Sequence, residues 1–566
     1  MKKYALGLDF GTNSCRSLIV DLADGSEIAS VVYPYPSGEE GILLDPKDPN
    51  VARQNPEDYL ISLEVSVKEA LKQAKKEDSE FDPHQIVGIG VDTTGSSPMP
   101  VQADGTPLAF LQEFKNRLEA MVWLWKDHSS YSEAAEITSV ARKIRPQFLA
   151  KIGGVYSSEW FWSKIFHCKN TAPDVFRAAY SFYEICDYIP ALLSGDTRPE
   201  KVVRSVCAAG HKAMYNEDWG GLPDKEFLFT LDAELGALRN RLYEKAVPSD
   251  HLAGRLSPEW AAKLGLKENI AVAVGAFDAH MGSVGAGIKE GTLVKILGTS
   301  TCDIMVSPRH KGFADIPGVC GIVDGSVLPG YLGIEAGQSA VGDIFLWFVN
   351  HLVPDSYGKT VEEKFKNLEI TAARQKPGEH GLLALDWNNG NRTILVDVLL
   401  NGLLIGQTLH TEAHEIYRAL IEATAFGALT IISRIEEYGV AVKEIINCGG
   451  LAVKNPFLMQ IYADITGRPM KVSLSDQTCA LGAAIFGAVA AGKDVSGYAS
   501  VEESQATMTG FREVYNPNPE HAGVYKELYQ LYSQLHDAFG KKEWSGAMYN
   551  VMKDLIALRE RQRKSQ

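Results

Sequence analysis

The chain has no Cys-x-x-Cys pair, no apolar run of membrane length, no excess of basic residues and no Gly-x-x-x-x-Gly-Lys-Ser/Thr loop. Each absence removes a class. The eight cysteines, Cys15, Cys168, Cys186, Cys207, Cys302, Cys320, Cys448 and Cys479, are scattered, so neither a zinc site nor a disulfide framework is indicated. A reducing cytoplasm is the simplest setting. The start Met-Lys-Lys-Tyr-Ala runs straight into a strand, and no secretory signal is readable. The nearest thing to a membrane segment, Ala480 to Ala491, spans twelve residues, short of the roughly 20 that a bilayer requires. It reads as a closely packed buried helix. Lys and Arg number 56 against 71 Asp and Glu, a net charge of -15, which argues against nucleic acid because phosphate backbones select basic faces. The basic end around Arg559, Arg561, Arg563 and Lys564 reads as a solvated helix terminus. Without a phosphate loop or a protein-kinase His-Arg-Asp set, a nucleotide site would have to belong to another architecture.

With 566 residues the chain exceeds what one core organises, and its hydrophobic content of 45% with 22% charged residues is that of a globular protein. Two main domains are expected, residues 1–285 and 286–520, followed by a helical tail over 521–566. Asp9-Phe10-Gly11-Thr12-Asn13-Ser14-Cys15-Arg16 lies between two apolar runs, and Gly298-Thr299-Ser300-Thr301-Cys302-Asp303 repeats its Gly-Thr-small-hydroxyl-Cys pattern downstream. Each copy reads as a hairpin corner. A Gly with small hydroxyl residues exposes backbone N–H groups without a bulky side chain, which suits a phosphate chain. The acid occurs in one copy only: Asp9 precedes Gly11, whereas Ile296 occupies the matching place before Gly298. That asymmetry assigns a metal to the first half.

Between the corners, Pro56 to about Lys76 has helical periodicity, and Gln85 to Asp92 is a buried-strand pattern ending in the small polar loop Thr93-Thr94-Gly95-Ser96-Ser97-Pro98. Ligands bind at such strand ends in open α/β sheets. Leu118 to about Leu193 is mainly helical, and Trp160-Phe161-Trp162 reads as core rather than as a sugar platform. Ile270 to His280 opens a second strand-rich block, and Gly282 to Gly287 is a glycine-rich crossing. A long helix follows around His414 to Tyr438, then a strand to Cys448, the pair Gly449-Gly450 and a helix from Asn455 to Thr466. Duplicated α/β halves facing each other across a cleft are implied.

Asp278, a carboxylate at the end of an apolar strand, can take the proton of a hydroxyl as that oxygen attacks a phosphoryl group; it can equally be a helix N-cap. His280 competes as a base. Asp9 is placed to hold Mg2+, and Gly449-Gly450 allows close approach of a base or ribose.

Taken together these segments resemble the FGGY carbohydrate kinases, within the superfamily of actin, sugar kinases and heat-shock ATPases. Asp9 to Arg16 is similar to the first phosphate motif, Gly298 to Thr301 to the second, Gly449 to Phe457 to the adenosine motif, Gly275 to Ala279 to the segment with the catalytic Asp, and Glu422 to Phe426 to the end of the carboxyl-terminal signature. The resemblance implies two duplicated actin-like, ribonuclease H-like ATPase domains flanking a deep cleft. It implies Asp278 as general base, Asp9 and Asp278 as metal ligands, and ATP contacts from Thr12, Asn13, Ser14, Arg16, Gly298, Thr299, Gly449, Gly450 and Asn455. Val91 to Pro100, Trp125 to His128, Ala209 to Lys212 and Asp386 to Arg392 resemble the branch that uses MgATP to phosphorylate the 5-hydroxyl of ribulose, the L-ribulose step of arabinose catabolism. On that likeness Ser96, Lys212 and Glu335 join Asp278 around the sugar. The chain lacks the Arg-Gly-Glu segment of glycerol kinases, has His128 where many relatives place Arg, and carries Gln407 where an aliphatic is usual; xylulose and ribitol remain open as substrates. A homodimer is a family-level expectation. Two other readings stand beside this one. A sugar-independent chaperone-like or filament-forming ATPase would need an appended domain or long complementary surfaces, and a silent sugar-binding regulator would not need Asp9, Asp278 and both corners.

Overall fold

A computed structural model describes residues 2–309 and 313–564. The first corner joins Tyr4–Phe10 to Ser14–Asp21 as an antiparallel hairpin, and Glu27–Pro34 adds antiparallel at its outer edge. Ile86–Thr93 lies parallel to Tyr4–Phe10 on the other side, followed by parallel Ala271–Ala273 and antiparallel Leu252–Arg255. Every residue of Tyr4–Phe10 is buried, the mark of a strand covered on both faces, which explains an apolar run without strict alternation.

The second sheet repeats this plan. Thr292–Leu297 and Thr301–Pro308 form the hairpin, and Tyr331–Ala336 adds antiparallel beside it. Glu444–Cys448 and Met470–Ser473 lie parallel on the far side, and Phe511–Tyr515 ends the sheet antiparallel. Six strand positions thus share order and direction, and Gly321–Asp324 extends the second sheet beyond Tyr331–Ala336. The duplication expected from the two Gly-Thr corners is present in the strand order itself.

The small-residue helix, Thr478–Ala491, is seated on the first sheet although it lies late in the sequence. Its fit is backbone to backbone. A Cβ at Gly7 would lie 1.8 Å from the Ala480 carbonyl, one at Gly88 2.0 Å from that of Gly487, and one at Gly90 1.8 Å from that of Ala483. On its other side runs Asp278–Gly285; a Cβ at Gly482 would lie 1.8 Å from the Met281 carbonyl, and one at Gly285 2.0 Å from that of Thr478. Both faces of this helix therefore tolerate hydrogen only.

Ala413–Glu437, the other long apolar helix, is buried along most of its length in the core against the second sheet. It, rather than Ala480 to Ala491, comes closest to membrane length. Ala522–Gly540 and Val551–Lys564 pack into the same core through Tyr525, Leu528 and Leu555; the last two residues of the expected tail, 565 and 566, lie outside the described residues. Trp160, Phe161 and Trp162 are buried in an aromatic cluster of the helical insertion. All eight cysteines are free.

The helix seating has a direct test. Gly90→Ala puts a methyl into the Ala483 carbonyl, and overpacking of this kind costs about 1–3 kcal/mol. Gly523→Ala, where no atom lies within 4 Å of the new Cβ, should be neutral or slightly stabilising. Thermal melts of the two variants should separate, with Gly90→Ala alone unfolding at lower temperature.

Candidate active site

Asp9 and Asp92 are register partners on the adjacent parallel strands Tyr4–Phe10 and Ile86–Thr93, so both carboxylates leave the sheet on one face. They are 5% and 0% exposed. The Arg16 guanidinium, one strand over in the hairpin, donates to Asp9 Oδ2 at 3.0 Å. Among the described residues neither oxygen of Asp92 has a donor. Asp278 completes the group. It is the first residue of Asp278–Gly285, behind the N-cap Phe277, and among the described residues its carboxylate accepts only the neighbouring Ala279 N–H at 2.7 Å. A capping Asp would instead accept from N–H groups two or three residues on, so this side chain is free for other work.

Burial pushes the pKa of all three acids up. Asp92 rises well above the carboxylate range through burial and then the charges of Asp9 and Asp278. Asp9 rises through burial against the pull of Arg16. Asp278 is pushed up to about 7 by burial and then by the charge of Asp9, with the Ala279 N–H opposing. Three carboxylates face one guanidinium. An ionised buried carboxylate without donors is costly unless it binds a cation, and hard divalent cations take oxygen ligands. The orphaned Asp92 with Asp9 beside it therefore fits Mg2+. Cys479, at the start of Thr478–Ala491, brings its thiol to the same place; one ligand atom from each of Asp9, Asp92 and Cys479 lies within 4.8 Å of the others.

A second polar group lies beside the first turn of Asp278–Gly285, next to Phe277 and His280. Lys212, the last residue of the helix Val206–Lys212, reaches across to the second sheet and donates to both Glu335 oxygens at 2.9 and 3.2 Å. Against the upward push of burial, Lys212 and then His211 and His280 hold Glu335 well below the carboxylate range. The ammonium stands 5.2 Å from the Trp160 ring and 6.0 Å from Phe277. His211 Nδ1 is 3.2 Å from Glu335 and its ring is 4.4 Å from that of His280. Burial keeps both imidazoles neutral, with His280 pushed down to about 4. Both nitrogens of His280 lack hydrogen-bond partners among the described residues. His211, His280 and Glu335 could also surround an ion, but Lys212 already neutralises that carboxylate.

The loop Thr94 to Pro98 is clamped from beneath. The Ser96 hydroxyl donates to Glu184, the Ser97 N–H donates to the same carboxylate at 2.6 Å, and Lys164 donates to the Ser96 and Leu124 carbonyls, each at 2.8 Å. Ser96 thus turns its side chain inward and is fully buried. Gly95 lies flat on the Phe277 ring, where a Cβ would come within 1.8 Å, which brings the loop next to Asp278.

The corners themselves are tightly braced. In the first, Gly11 N–H donates to the Ser14 carbonyl at 3.0 Å, Trp125 Nε1 donates to the Thr12 hydroxyl at 3.0 Å and the Asn13 amide donates to the Glu40 carbonyl at 2.7 Å. Ser14 is buried and Arg16 half-buried. In the second, Gly298 and Thr299 are exposed while their carbonyls accept from Gly342 and Val341 N–H at 3.1 and 2.8 Å. Gly449, at φ 91°, sits against the Leu297 carbonyl, and Gly450 faces open space. Asn455 follows the short helix Gly450–Lys454, its N–H donating to the Leu451 carbonyl at 3.1 Å. It is buried, caps Pro456–Thr466 by accepting from Leu458 N–H at 2.8 Å and donates to Glu369 at 2.8 Å.

Sequence reasoning gave no site role to Asp92, Lys164 or Glu184, and it read Trp160 as core. The signal for Asp92 was present, an acid ending a buried strand before a small polar loop. Nothing in the residue order indicates that Trp160 meets Lys212 or that Glu184 faces Ser96.

Comparison with known proteins accords with this geometry. Residues 4–285 match the profile of the N-terminal domain of the FGGY family of carbohydrate kinases, and residues 293–491 match its C-terminal domain. The chain is 44% identical over 557 residues to a ribulokinase of Geobacillus thermodenitrificans, covering 96% of this chain and 95% of that one. It is 43% identical over 577 residues to a ribulokinase of Halalkalibacterium halodurans, covering 99% and 98%. In structure it resembles a xylulose kinase from Rhodospirillum rubrum, with a TM-score of 0.75 at 23% identity, covering 95% of this chain and 99% of that one. A glycerol kinase from Plasmodium falciparum has the same TM-score of 0.75 at 16% identity, covering 96% and 99%. The two-domain α/β fold is shared with these kinases, and the profile matches span most of the chain. The protein belongs to the FGGY family of carbohydrate kinases, phosphotransferases that move a phosphoryl group from ATP to a hydroxyl group of a carbohydrate.

Proposed function

We propose that this kinase phosphorylates the 5-hydroxyl of ribulose, converting L-ribulose to L-ribulose 5-phosphate, with Asp278 as general base. The observation that carries the reading is the placement of Asp278 between two unlike polar groups. On one side are the acids Asp9 and Asp92; on the other is the charge-balanced pair Lys212–Glu335. The first side suits the cation of a nucleotide and the second suits neutral hydroxyls. The names of the most similar relatives support ribulose as the acceptor.

The sugar lies over the Gly95–Ser96 backbone and the Phe277 ring, with Lys212 donating to its oxygens and Glu335 accepting from its hydroxyls. The Ser96 hydroxyl acts by fixing the loop through Glu184. The ATP phosphates lie between the Gly11–Arg16 and Gly298–Ser300 corners, and the adenosine lies over Gly449–Gly450. Asp9 and Asp92 hold Mg2+, which when bound offsets phosphate charge. Asp278 accepts the hydroxyl proton as that oxygen attacks the γ-phosphorus and the bond to the ADP oxygen breaks. Burial, and then the charge of Asp9, keeps Asp278 basic enough for this task.

Three measurements test the reading. In a coupled ADP-release assay with L-ribulose, D-ribulose, D-xylulose, ribitol, glycerol and no sugar, L-ribulose should give the highest kcat/KM; a comparable rate without sugar would replace it with a sugar-independent ATPase. Asp278→Asn should lower kcat by about 10²–10⁴-fold while leaving ATP affinity little changed, and near-normal turnover would remove Asp278 as the base. Since Asp278 works only when ionised and is held up to about 7, kcat/KM for the sugar should fall as pH drops through that region and level off above it. The residual rate of Asp278→Asn should lack that acidic limb.

A further inference from the structure

The cation side of the site contains a sulfur that phosphoryl transfer does not use. Cys479 is the second residue of the fourteen-residue helix Thr478–Ala491, and it is half-buried rather than sealed in the core. Its position is fixed by the seating of that helix, since the Ala480 carbonyl abuts Gly7 and the Cys479 sulfur would lie 3.0 Å from a Cβ on Gly282. Asp92 belongs to the same group, with no exposure and both oxygens unpartnered among the described residues. Asp9 brings a carboxylate oxygen to the same group, and the Arg16 guanidinium donates to its Oδ2.

We propose that Asp9, Asp92 and Cys479 form a three-ligand site that takes a thiophilic divalent cation, Zn2+ or Cd2+, in place of Mg2+ and so arrests the kinase. This rests on the reading that Asp9 and Asp92 hold the nucleotide's cation. The ligand atoms are within 4.8 Å of one another, and zinc bonds of about 2.3 Å to sulfur and about 2.0–2.2 Å to oxygen need only a small closure of that set. Mg2+ selects oxygen and bypasses the sulfur, whereas thiolate selects zinc-like ions. As the metal binds, the thiol proton and the proton that burial holds on Asp92 both leave to solvent. Three acids against one guanidinium supply the negative charge that a dipositive ion requires. The trio His211, His280 and Glu335 lacks that excess because Lys212 is bonded to its carboxylate.

The test uses the full-length enzyme without nucleotide, titrated with Cd2+ alone. Binding is followed by the ultraviolet charge-transfer band of a thiolate–Cd2+ bond and by calorimetry. Wild type should show the band at one equivalent, Cys302→Ser should keep it, and Cys479→Ser and Cys479→Ala should lose it. Both Cys479 variants should bind Cd2+ at least tenfold more weakly, since loss of even an outer partner of a metal ligand costs about 10–100-fold. Circular dichroism establishes that each variant is folded. Absence of the band in wild type, or its persistence in folded Cys479→Ser, overturns the proposal. Displacement of Cd2+ by Mg2+ in wild type supports a shared site. If the band depends on Cys479 but Mg2+ does not compete, the thiophilic site stands and the placement of the nucleotide's cation at Asp9 and Asp92 falls.

Discussion

The structure depends on one helix that fits only against backbone. Thr478–Ala491 touches the first sheet at Gly7, Gly88 and Gly90, and touches Asp278–Gly285 through its own Gly482 and that helix's Gly285. Side chains at these five positions would push the layers apart by several ångströms. Because they are hydrogen, the carboxyl ends of Tyr4–Phe10 and Ile86–Thr93, the first turn of Asp278–Gly285 and the start of Thr478–Ala491 converge. Asp9, Asp92, Asp278 and Cys479 are the residues at those four ends. The close packing and the acid cluster are therefore one feature, and a segment late in the sequence completes a site whose acids come from the first half.

Much of this was legible where the signal is local. The corners at Gly11 and Gly298, the helix from Pro56, the helix near His414 and the strand before Gly449 all lie where their residue patterns put them, because turn chemistry and periodicity act over a few residues. The duplication was legible too, since both copies of the corner carry the same small residues. What was hidden is what long-range pairing decides. That Asp9 and Asp92 are register neighbours follows from a parallel pairing across more than eighty residues of chain, and an acid at a strand end carries no label for its partner. Ser96 shows the same limit from the other side. Its residue type suits a sugar contact, but the direction of its hydroxyl is set by Glu184, a buried carboxylate pushed up to about 7 chiefly by its burial.

The two polar groups flanking Asp278 differ in how their charge is balanced, and that difference separates two tasks. Lys212 and Glu335 neutralise each other at hydrogen-bond distance, so a neutral sugar can exchange hydrogen bonds there without importing charge. Asp9, Asp92 and Asp278 share a single guanidinium, so nothing neutral can relieve their repulsion. A cation arriving with ATP can. On the role proposed for Asp278, that arrival would lower the pKa of its carboxyl by offsetting the charge of Asp9.

The same imbalance makes the site vulnerable. A group of carboxylates arranged to need a dipositive ion does not by itself distinguish among dipositive ions, and discrimination has to come from ligand type and geometry. Oxygen ligands alone would leave Mg2+ favoured by its abundance. The thiol of Cys479 shifts that balance toward softer ions, and the helix seating restrains it, because the next residue's carbonyl, Ala480, abuts Gly7 and the sulfur itself faces Gly282. The constraint that assembles the acids thus also fixes the sulfur beside them.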